Sequence, residues 1–506
     1  MRFPSEPGRI AFALIAAFTV MRLVLATTVG LGQDGDYTVG VAHDLNLSYY
    51  DHPPLQYWIV HLLLPLLGDG RAMRLPFIAL FAGSCWLLYC LTRRLFSAQA
   101  GVVAVLVLNC SACFTFGVGS LVMPDGPLIF AQLAAALALA RGLFPGQEAA
   151  PSALTTWLHS GFWLGVSALS KYHALLFAAG VLLFLLTVPG RRRQLAHPAP
   201  WLGALLALAI ASPVIVWNMR HDWISVGFQV GRAASTGLHI GHIGYVLANI
   251  AGQALWLLPW IFVLALIAAW QAWRAGPADE RSWYCLCLAL PTIAVFTLVP
   301  LWGRIGLPHW QMPGWLMLFP VCGDWALRSI RPSRLRRWSV ASTAAVIVFA
   351  VIIVVHARTG YGRILAPRLF ASGDPTLEMF EWSQLPPELE SRGLLPAGTF
   401  LITTNWIYAG KIDHALHDAV PVVIFGDDPK QFGLRYSPES LLGRDAIIVA
   451  PVDSTHGIAE GLRPYFDSME ELAPLYLGRS GLHEIQLRVL WGHRLENALP
   501  APYWHQ

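Results

Sequence analysis

Charged residues are scarce in this sequence. Asp, Glu, Lys and Arg make up 13% of the 506 residues, whereas hydrophobic residues make up 56%, and the mean hydropathy is +0.53. An average soluble domain carries about 25% charged residues. The composition therefore excludes an ordinary soluble domain and predicts a polytopic membrane protein.

Three classes of site are also missing. The formal net charge is only +4 and no basic stripe is visible, which excludes an extended nucleic-acid-binding surface. The seven cysteines lie in apolar runs and none lies in the polar C-terminal part, so neither a disulfide framework nor a zinc ribbon is expected. Cys110 and Cys113 are interpreted as helix-packing residues. The tail contains no glycine-rich phosphate-binding fingerprint.

Long apolar runs recur along the first two thirds of the chain. Each has the length of a membrane-spanning helix, and together they predict about eleven spans. They lie at about residues 10–29, 75–92, 100–118, 127–143, 155–170, 172–188, 200–217, 243–270, 283–301, 310–327 and 338–356. The first run is too long for the core of a signal peptide and lacks a small-residue cleavage site, so we expect it to be retained.

The distribution of Lys and Arg predicts the orientation, because cytoplasmic loops carry the excess of positive charge. With the N-terminus inside, the basic clusters at residues 93–94, 191–193, 274 and 328–337 all fall on the cytoplasmic side. Residues 30–74, the turns near 125 and 171, residues 218–242, residues 302–309 and the tail after residue 356 then lie outside.

The tail differs in character from the rest of the chain. From about residue 357, polar residues return, and short β-rich runs at residues 399–403, 420–425 and 445–449 alternate with helix-like stretches such as 457–472. This alternation predicts a small α/β domain outside the membrane. The predicted domains are therefore a membrane domain over residues 1–356 and an extracytoplasmic domain over 357–506.

The first outer loop, residues 30–74, is too long for a plain connector. It contains Asp34, Asp36, Tyr50, Asp51 and His52. The amphipathic stretch at residues 37–47 predicts a short helix, and the two prolines at 53 and 54 would end it and hold the acid and the imidazole at a turn. A solvated loop with interfacial aromatics is the alternative.

The other outer turns carry polar side chains as well: Asp125, Lys171, Arg220, His221, Arg304 and His309. Positive residues on the side that the positive-inside rule depletes need another reason, and a phosphate at the outer interface would supply it. Arginine would bind it in a bidentate fashion and lysine as a point charge. Snorkelling or structural pairing is the alternative, and for Asp125 it is N-capping.

Several motifs occur in a fixed order. They are Asp34-Gly35-Asp36-Tyr37, Leu47-Ser48-Tyr49-Tyr50-Asp51-His52-Pro53-Pro54-Leu55, Arg74-Leu75-Pro76, Pro124-Asp125-Gly126-Pro127-Leu128, Leu169-Ser170-Lys171-Tyr172 and Trp217-Asn218-x-x-His221-Asp222-Trp223. This set resembles the bacterial glycosyltransferase family 39. That family is related to the dolichyl-phosphate-mannose protein mannosyltransferases and to the aminoarabinose transferases of lipid A, all with the GT-C membrane fold. The resemblance covers about residues 10–325.

The resemblance implies transfer of a sugar from a polyprenyl-phosphate carrier to an acceptor on the outer face of the bacterial inner membrane. The family's catalytic acid corresponds to Asp34. Its usual second residue is Glu, whereas this chain has Gly35, so that role is either missing or moved to Asp36. The aminoarabinose transferases have an acid-lysine pair that contacts the lipid phosphate, and here that pair is Asp51-His52.

The expected roles follow from this chemistry. A base must deprotonate the acceptor, and positive groups must stabilise the departing phosphate. The catalytic candidates are Asp34, as the base of an inverting displacement, Asp51 and Asp125; the phosphate-binding candidates are His52, Lys171, Arg220 and Arg304; the substrate-binding candidates are Asp36, Tyr50, His221 and His309. No cofactor and no metal ligand are expected, although a divalent cation stays an open alternative.

Two other functions remain open from the sequence. A flippase or transporter of a lipid-linked sugar shares the spans and the anionic ligand, but its ionisable residues would lie near the middle of the membrane. A non-catalytic envelope assembly protein would explain the tail but not the acidic first loop. The expected partners are the polyprenyl-phosphate sugar, membrane lipids and an acceptor that is a glycolipid such as lipid A, another envelope glycan or a protein.

Overall fold

The chain folds into two compact units. The computed structural model describes residues 6–146, 151–233, 242–302, 306–370 and 373–500. The first unit comprises Met1–Val24, Leu47–Gln56 and Leu75–Val348, and the second comprises Leu25–Asn46, Tyr57–Arg74 and Phe349–Gln506. Both units are therefore discontinuous in sequence. The domain boundary between residues 356 and 357 stays a prediction.

Helices dominate the first two thirds of the chain. They are α1 (Glu6–Thr28), α2 (Gln33–Ala42), α3 (Leu55–Leu67), α4 (Leu75–Leu95), α5 (Ala98–Asn109), α6 (Asp125–Leu143), α7 (Ala153–Ser170), α8 (Ala174–Thr187), α9 (Pro198–Arg220), α10 (Ile224–Ala233), α11 (Ile243–Leu257), α12 (Pro259–Ala275), α13 (Glu280–Leu298), α14 (Met312–Ser329) and α15 (Pro332–Thr359). Every predicted apolar run overlaps one of these helices.

Seven helical segments among the described residues are long and apolar enough to cross a membrane. They are Glu6–Thr28, Arg71–Leu95, Asp125–Leu143, Pro198–Arg220, Pro259–Ala278, Glu280–Trp302 and Pro332–Thr359. Shorter apolar helices occupy Leu55–Leu67, Ala98–Asn109, Ala174–Thr187 and Ile243–Leu257. The protein is a polytopic helical membrane protein, as predicted, and the number of about eleven spans stays a prediction.

The predicted run at residues 243–270 is two helices, α11 and α12. The chain breaks between them at Leu258, whose φ is 74°, and Pro259 opens α12. Proline has no backbone N–H to donate and disfavours the helical conformation of the residue before it. The apolar run therefore continues across residues 258 and 259, although the backbone cannot stay helical there.

Glycines allow α7 and α9 of the first unit to pack backbone against backbone. A Cβ atom added to Gly161 would lie 2.1 Å from the carbonyl oxygen of Gly203, and one added to Gly203 would lie 2.4 Å from that of Trp157. Small residues at such crossings are typical of membrane helices, which associate through close packing.

A buried arginine stabilises an irregular segment of the first unit. The guanidinium of Arg22 donates hydrogen bonds to Asn109 Oδ1 at 2.8 Å and Thr115 Oγ1 at 3.3 Å, and it lies 4.3 Å from the ring centroid of Phe81. Thr115 belongs to a π-helical turn at Cys113–Val118. These contacts connect α1 to the segment that leads into α6.

The second unit contains a five-stranded mixed sheet. Its strands are β1 (Phe400–Asn405), β2 (Val422–Asp428), β3 (Ala446–Pro451), β4 (Phe466–Leu477) and β5 (Ile485–Leu495). Their order is β2-β1-β3-β5-β4; β1 is parallel to β2 and β3, and β5 is antiparallel to β3 and β4. The helices of this part are α16 (Tyr361–Leu365), α17 (Leu385–Ser391), α18 (Trp406–Ala415) and α19 (Ile458–Leu462). The predicted small α/β domain is confirmed.

The predicted helical stretch at residues 457–472 is wrong in its second half. The helix α19 ends at Leu462, and Phe466 begins β4, which pairs along its length with β5. Pro464 lies between the two elements. Residues 466–472 are strand because β5 provides a partner for their backbone groups, a contact that local sequence does not reveal.

Candidate functional site

Asp34 lies at the start of the short helix α2, in the second unit. It is the second residue of the helix and its side chain is exposed. Its backbone oxygen accepts a hydrogen bond of 2.6 Å from Thr38 Oγ1. The first turn of a helix carries a partial positive charge, which stabilises the ionised form of an acid there. The predicted catalytic base is therefore accessible and lies on a regular element.

Asp36, two residues later, is buried and paired. Its Oδ2 lies 3.1 Å from the ammonium of Lys411 and its Oδ1 lies 2.8 Å from Nδ1 of His414, both on α18. Lys411 also donates to the backbone oxygens of Glu378 at 3.0 Å and Phe380 at 2.9 Å. The structure thus places the predicted substrate-binding Asp36 in an internal ion pair. Its binding role stays a prediction.

Two glycines bring α2 and α18 close together. A Cβ atom on Gly410 would lie 2.8 Å from the backbone of Tyr37, and one on Gly40 would meet the carboxylate of Asp413 at 2.3 Å. Arg435 is hydrogen-bonded to Asp413 at 3.1 Å. We call the packing of these two helices, with the pairs of Asp36, the α2–α18 contact.

Glu378 is an acid that the sequence analysis did not single out. Burial raises the pKa of its carboxyl, and the negative charge of Asp34 raises it further, whereas Lys411 opposes both effects. Glu378 and Asp34 are therefore within electrostatic reach. No motif indicated this, because 344 positions separate the two acids in the sequence.

In the first unit, Lys171 and Asp125 form a buried ion pair. The ammonium lies 3.0 and 2.9 Å from the two carboxylate oxygens, and the side chains are 8% and 6% exposed. Asp125 is the first residue of α6, its N-cap is Pro124, and the cap makes no side-chain hydrogen bond. N-capping therefore does not explain Asp125. The anion that Lys171 was expected to need is present within the chain.

Two histidines adjoin this pair. Burial, followed by the positive charge of Lys171, lowers the pKa of His309 to about 4, although Asp125 opposes the shift. The imidazole of His309 is therefore neutral at pH 7. Nε2 of His173 lies 3.1 Å from the carbonyl oxygen of Trp310. Because a carbonyl only accepts, Nε2 is the protonated nitrogen of His173.

The loop that carries the predicted Asp51 and His52 packs on α10. The amide of Gln229 donates to the backbone oxygen of Asp51 at 2.6 Å, and the rings of Tyr50 and Phe228 lie 4.9 Å apart. Asp51 is buried, whereas Tyr50 and His52 are half-buried. The predicted helix over residues 37–47 is wrong in its bounds, because α2 runs Gln33–Ala42 and ends well before Pro53, so the prolines do not end it. The roles of Asp51 and His52 stay predictions.

Tyr172 connects that loop to the ion pair. The phenol oxygen lies 2.8 Å from the hydroxyl of Ser225, which belongs to α10. Tyr172 follows Lys171 directly, so this contact connects the segment that supplies the lysine to the helix on which the Asp51 loop packs.

The remaining predicted residues of this unit lie at the end of α9 or outside the described ranges. Arg220 is the last residue of α9 and is exposed. The ring of His221 stacks on Trp217 at a centroid distance of 4.0 Å, and its Nδ1 donates to the Trp217 carbonyl at 2.8 Å. Arg304 lies outside the described residues.

The sequence analysis missed Arg232. Its guanidinium lies 5.3 Å from the ring centroid of Phe228 and 5.1 Å from that of Trp310, and its charge also lowers the pKa of His309, after burial and Lys171. It lies in the outer loop predicted at residues 218–242, where the argument applied to Arg220 holds equally well.

The predicted residues are distributed over both units. Asp34 and Asp36 belong to the second unit, and the other described candidates belong to the first. Within the described ranges, no group of three or more His, Cys, Asp or Glu side chains is arranged to hold a metal ion. The predictions of no cofactor and of no metal ligand stay predictions.

A comparison with protein-family models matches the segment that contains most of these residues. Residues 51–217 match the family described as dolichyl-phosphate-mannose-protein mannosyltransferase. The predicted family resemblance is confirmed. The matched segment runs from Asp51 through the Asp125–Lys171 pair to Trp217.

Two curated relatives carry the same name, undecaprenyl phosphate-alpha-4-amino-4-deoxy-L-arabinose arabinosyl transferase. The protein from Erwinia tasmaniensis is 26% identical over 266 residues, which cover 51% of this chain and 47% of the relative. The protein from Edwardsiella ictaluri is 24% identical over 273 residues, which cover 52% of this chain and 48% of the relative. The match thus spans about half the length of these relatives.

The fold extends the likeness to nearly the whole chain. The crystal structure of ArnT from Cupriavidus metallidurans bound to undecaprenyl phosphate matches with a TM-score of 0.66 at 16% identity, covering 96% of this chain and 98% of that chain. The apo structure of the same protein gives 0.65 at 16% identity, with 94% and 97% covered. The predicted GT-C fold is confirmed.

Proposed function

We propose that this protein is a membrane glycosyltransferase that moves a sugar from an undecaprenyl-phosphate carrier to an acceptor in the cell envelope. The observation that carries the proposal is the agreement of the fold over 96% of the chain with ArnT bound to undecaprenyl phosphate. The motif match and the names of the curated relatives support the same chemistry. A flippase or a non-catalytic assembly protein is not favoured by these comparisons.

The reaction needs one base and one stabilised leaving group. The acceptor hydroxyl or amine forms a bond to the anomeric carbon, the bond from that carbon to the phosphate oxygen breaks, and the carrier leaves as undecaprenyl phosphate. Asp34 takes the acceptor proton. Its exposure in the first turn of α2 supports this role.

The phosphate is assigned to positive groups of the first unit. Lys171 already pairs with Asp125, so this pair contributes little net positive charge. Arg232 lies on α10, the helix on which the loop of Asp51 and His52 packs. We therefore add Arg232 to the phosphate-binding candidates, because guanidinium binds phosphate oxygens in a bidentate fashion.

The finer assignments belong to the same proposal. The protein is placed in the bacterial inner membrane, with a cytoplasmic N-terminus and a periplasmic tail, because the basic clusters then lie inside. Lipid A is the first acceptor to test, since the relatives transfer an aminoarabinose by name. Another envelope glycan or a protein is the second.

Transfer by the purified protein tests the proposal. The full chain in detergent is supplied with radiolabelled undecaprenyl-phosphate aminoarabinose and lipid A, and labelled product is counted. We expect turnover that Asp34→Asn abolishes. Asp467→Asn is the matched control, because this exposed acid lies on β4 of the sheet.

Transfer is compared only between variants whose unfolding midpoints show that they are folded. Equal transfer by folded Asp34→Asn would contradict the role of the base. No transfer by the wild-type chain from aminoarabinose, mannose or galacturonic acid donors, together with unchanged envelope glycans in a deletion strain, would contradict the function itself.

A further inference from the structure

The α2–α18 contact contains a lysine whose hydrogen-bonding capacity is fully used. An ammonium group has three N–H donors. Those of Lys411 go to Asp36 Oδ2 at 3.1 Å, to the Glu378 oxygen at 3.0 Å and to the Phe380 oxygen at 2.9 Å. The side chain is 4% exposed. Lys411 is therefore occupied by the protein and has no donor left for a ligand.

His414 holds the other oxygen of the same carboxylate. Its Nδ1 lies 2.8 Å from Asp36 Oδ1. Burial alone would lower the pKa of this imidazole, but the hydrogen bond and the charge of Asp36 outweigh burial and raise it. The two oxygens of Asp36 thus contact Lys411 and His414, which lie one turn of helix apart on α18.

The helix α2 cannot rely on its own stability. It has ten residues, and its N-cap Gly32 offers no side-chain hydrogen bond. Isolated helices shorter than about 12–15 residues are marginal in water. Its first turn carries both Asp34 and Asp36, so whatever fixes Asp36 also fixes Asp34.

We propose that Lys411 and His414 are positioning residues, which hold the first turn of α2 through Asp36 and so place Asp34 for proton transfer. This inference rests on the proposed function for its catalytic part. The helix α18, in the C-terminal part of the chain, therefore fixes the helix α2 of the first outer loop through Asp36.

Paired variants separate positioning from mere stability. Lys411→Met leaves Asp36 without its lysine partner, and the double variant Asp36→Asn/Lys411→Met removes the buried charge as well. We expect the midpoint of thermal unfolding to recover in the double variant. The kcat should stay about 100-fold low in both, with little change in the KM of the donor, because a misplaced reacting group costs rate. The control is Arg488→Gln, which breaks an exposed ion pair with Glu471 on the sheet and should keep wild-type kcat.

Amide hydrogen exchange gives a reading that does not depend on activity. Residues 33–42 should exchange faster in both Lys411 variants and in His414→Asn than in wild type. Wild-type exchange and wild-type kcat in the stable double variant would overturn the inference while Asp34→Asn could still support the function. If the wild-type chain shows no transfer, the function fails and the exchange result alone decides whether Lys411 fixes α2.

A second, independent feature lies at the junction of α14 and α15. An apolar groove of about 280 Å³ opens there, lined by residues that include Val103, Leu106, Leu335, Ser339 and Arg336. Ser339 lies four residues after Leu335 and three after Arg336, so it shares a face of α15 with both. Arg336 is the charged residue of the lining.

The chain at the junction of α14 and α15, which forms part of this groove, is rich in arginine. Arg328 pairs with Asp324 at 2.5 Å. Four other arginines are exposed and make no ion pair with any described residue: Arg331, Arg334, Arg336 and Arg337. Between Asp324 and Asp374 the sequence has no other acid. An apolar slot beside uncompensated arginines matches a lipid with an acyl chain and an anionic headgroup.

We infer that this groove binds an anionic phospholipid, with an acyl chain in the slot and the phosphate on Arg336 and its neighbours. Delipidated full-length protein in detergent is titrated with dioleoyl-phosphatidylglycerol or dioleoyl-phosphatidylcholine and followed by native mass spectrometry. Phosphatidylglycerol should bind about tenfold or more tightly than phosphatidylcholine.

Two kinds of variant test the two parts of the site. The triple change Arg331→Gln/Arg334→Gln/Arg336→Gln should remove the preference, and Ser339→Phe, which fills the slot, should weaken both lipids. Arg274→Gln/Arg281→Gln removes exposed charges elsewhere and should change nothing. Equal binding of the two lipids, full binding by Ser339→Phe, or a protein dimer in place of bound lipid would overturn the inference.

Discussion

At the scale of single residues, Asp125 and Lys171 form a buried pair of opposite charges. Removing one partner of a buried ion pair costs about 3–5 kcal/mol, because the other charge stays buried. Lys171→Met should therefore lower the free energy of unfolding by about that amount, measured by denaturant unfolding in detergent, and Asp125→Asn/Lys171→Met should recover most of it.

The half-exposed pair of Arg191 and Glu280 is the control for this prediction. Arg191→Met should cost less than about 1 kcal/mol, because exposed pairs are weak. A loss from Lys171→Met no larger than this would contradict the structural role of the pair. Transfer activity should stay low in the double variant if the pair also orients substrate.

Asp413 predicts how the second unit responds to pH. Burial raises the pKa of its carboxyl to about 7, although Arg435 opposes the shift. The folded unit therefore keeps a proton that the unfolded chain releases near pH 4, so stability should fall as pH rises from about 4 to 7. Asp413→Asn has no such proton and should flatten the decline, measured as unfolding midpoints at pH 5, 6, 7 and 8.

His414 changes stability in the same direction. Its folded pKa is raised, so its contribution is present at low pH and is lost as pH rises through the folded value. Some decline should therefore remain in Asp413→Asn. The exposed Asp427→Asn should keep the wild-type slope, and an unchanged slope in Asp413→Asn would contradict the assignment.

The sequence predicted residue types better than it predicted their partners. It indicated that Lys171 needs an anion, and the structure supplies Asp125, 46 positions away. It did not indicate that Asp36 pairs with Lys411, because the two residues are 375 positions apart in the chain. Pairings over such distances depend on the tertiary fold, which local pattern does not specify.

At the scale of elements, the crossing of α7 and α9 depends on having no side chain at two positions. Gly161→Ala would place a Cβ 2.1 Å from the Gly203 oxygen, and that oxygen belongs to rigid backbone. We expect the variant to lower the unfolding midpoint in detergent strongly or to fail to fold. Gly244→Ala, whose Cβ would meet nothing within 4 Å, should be neutral or slightly stabilising. Equal midpoints would contradict the close packing.

Element types followed from composition where a single physical requirement dominates. Helices in a membrane keep apolar side chains away from water and form all their backbone hydrogen bonds within the helix. Long apolar runs therefore predicted them well. The strand β4 was mistaken for helix because its backbone partner is β5, and α11 was joined to α12 because hydropathy does not register the break at Leu258. In both cases, backbone geometry rather than apolarity decides the element.

At the scale of the whole molecule, the orientation in the membrane is open to a direct test. Six of the seven native cysteines are buried and Cys90 is partly buried, so an introduced exposed cysteine gives a distinct signal. A membrane-impermeant maleimide applied to cells with a permeabilised outer membrane should label Ser468→Cys in the tail and leave Ser333→Cys unlabelled until lysis. The reverse pattern would contradict the periplasmic tail.

The order in which the chain is made bears on the α2–α18 contact. Asp36 and Lys411 are separated by 375 residues, and at a synthesis rate of about 5–20 residues per second the wait between them is roughly 20–75 s. By the time α18 is made, α1 to α15 have already been synthesised, so Asp36 receives its partners on α18 only after those helices are complete. A chain truncated before α18 should therefore contain these helices but lack the contact that holds Asp36.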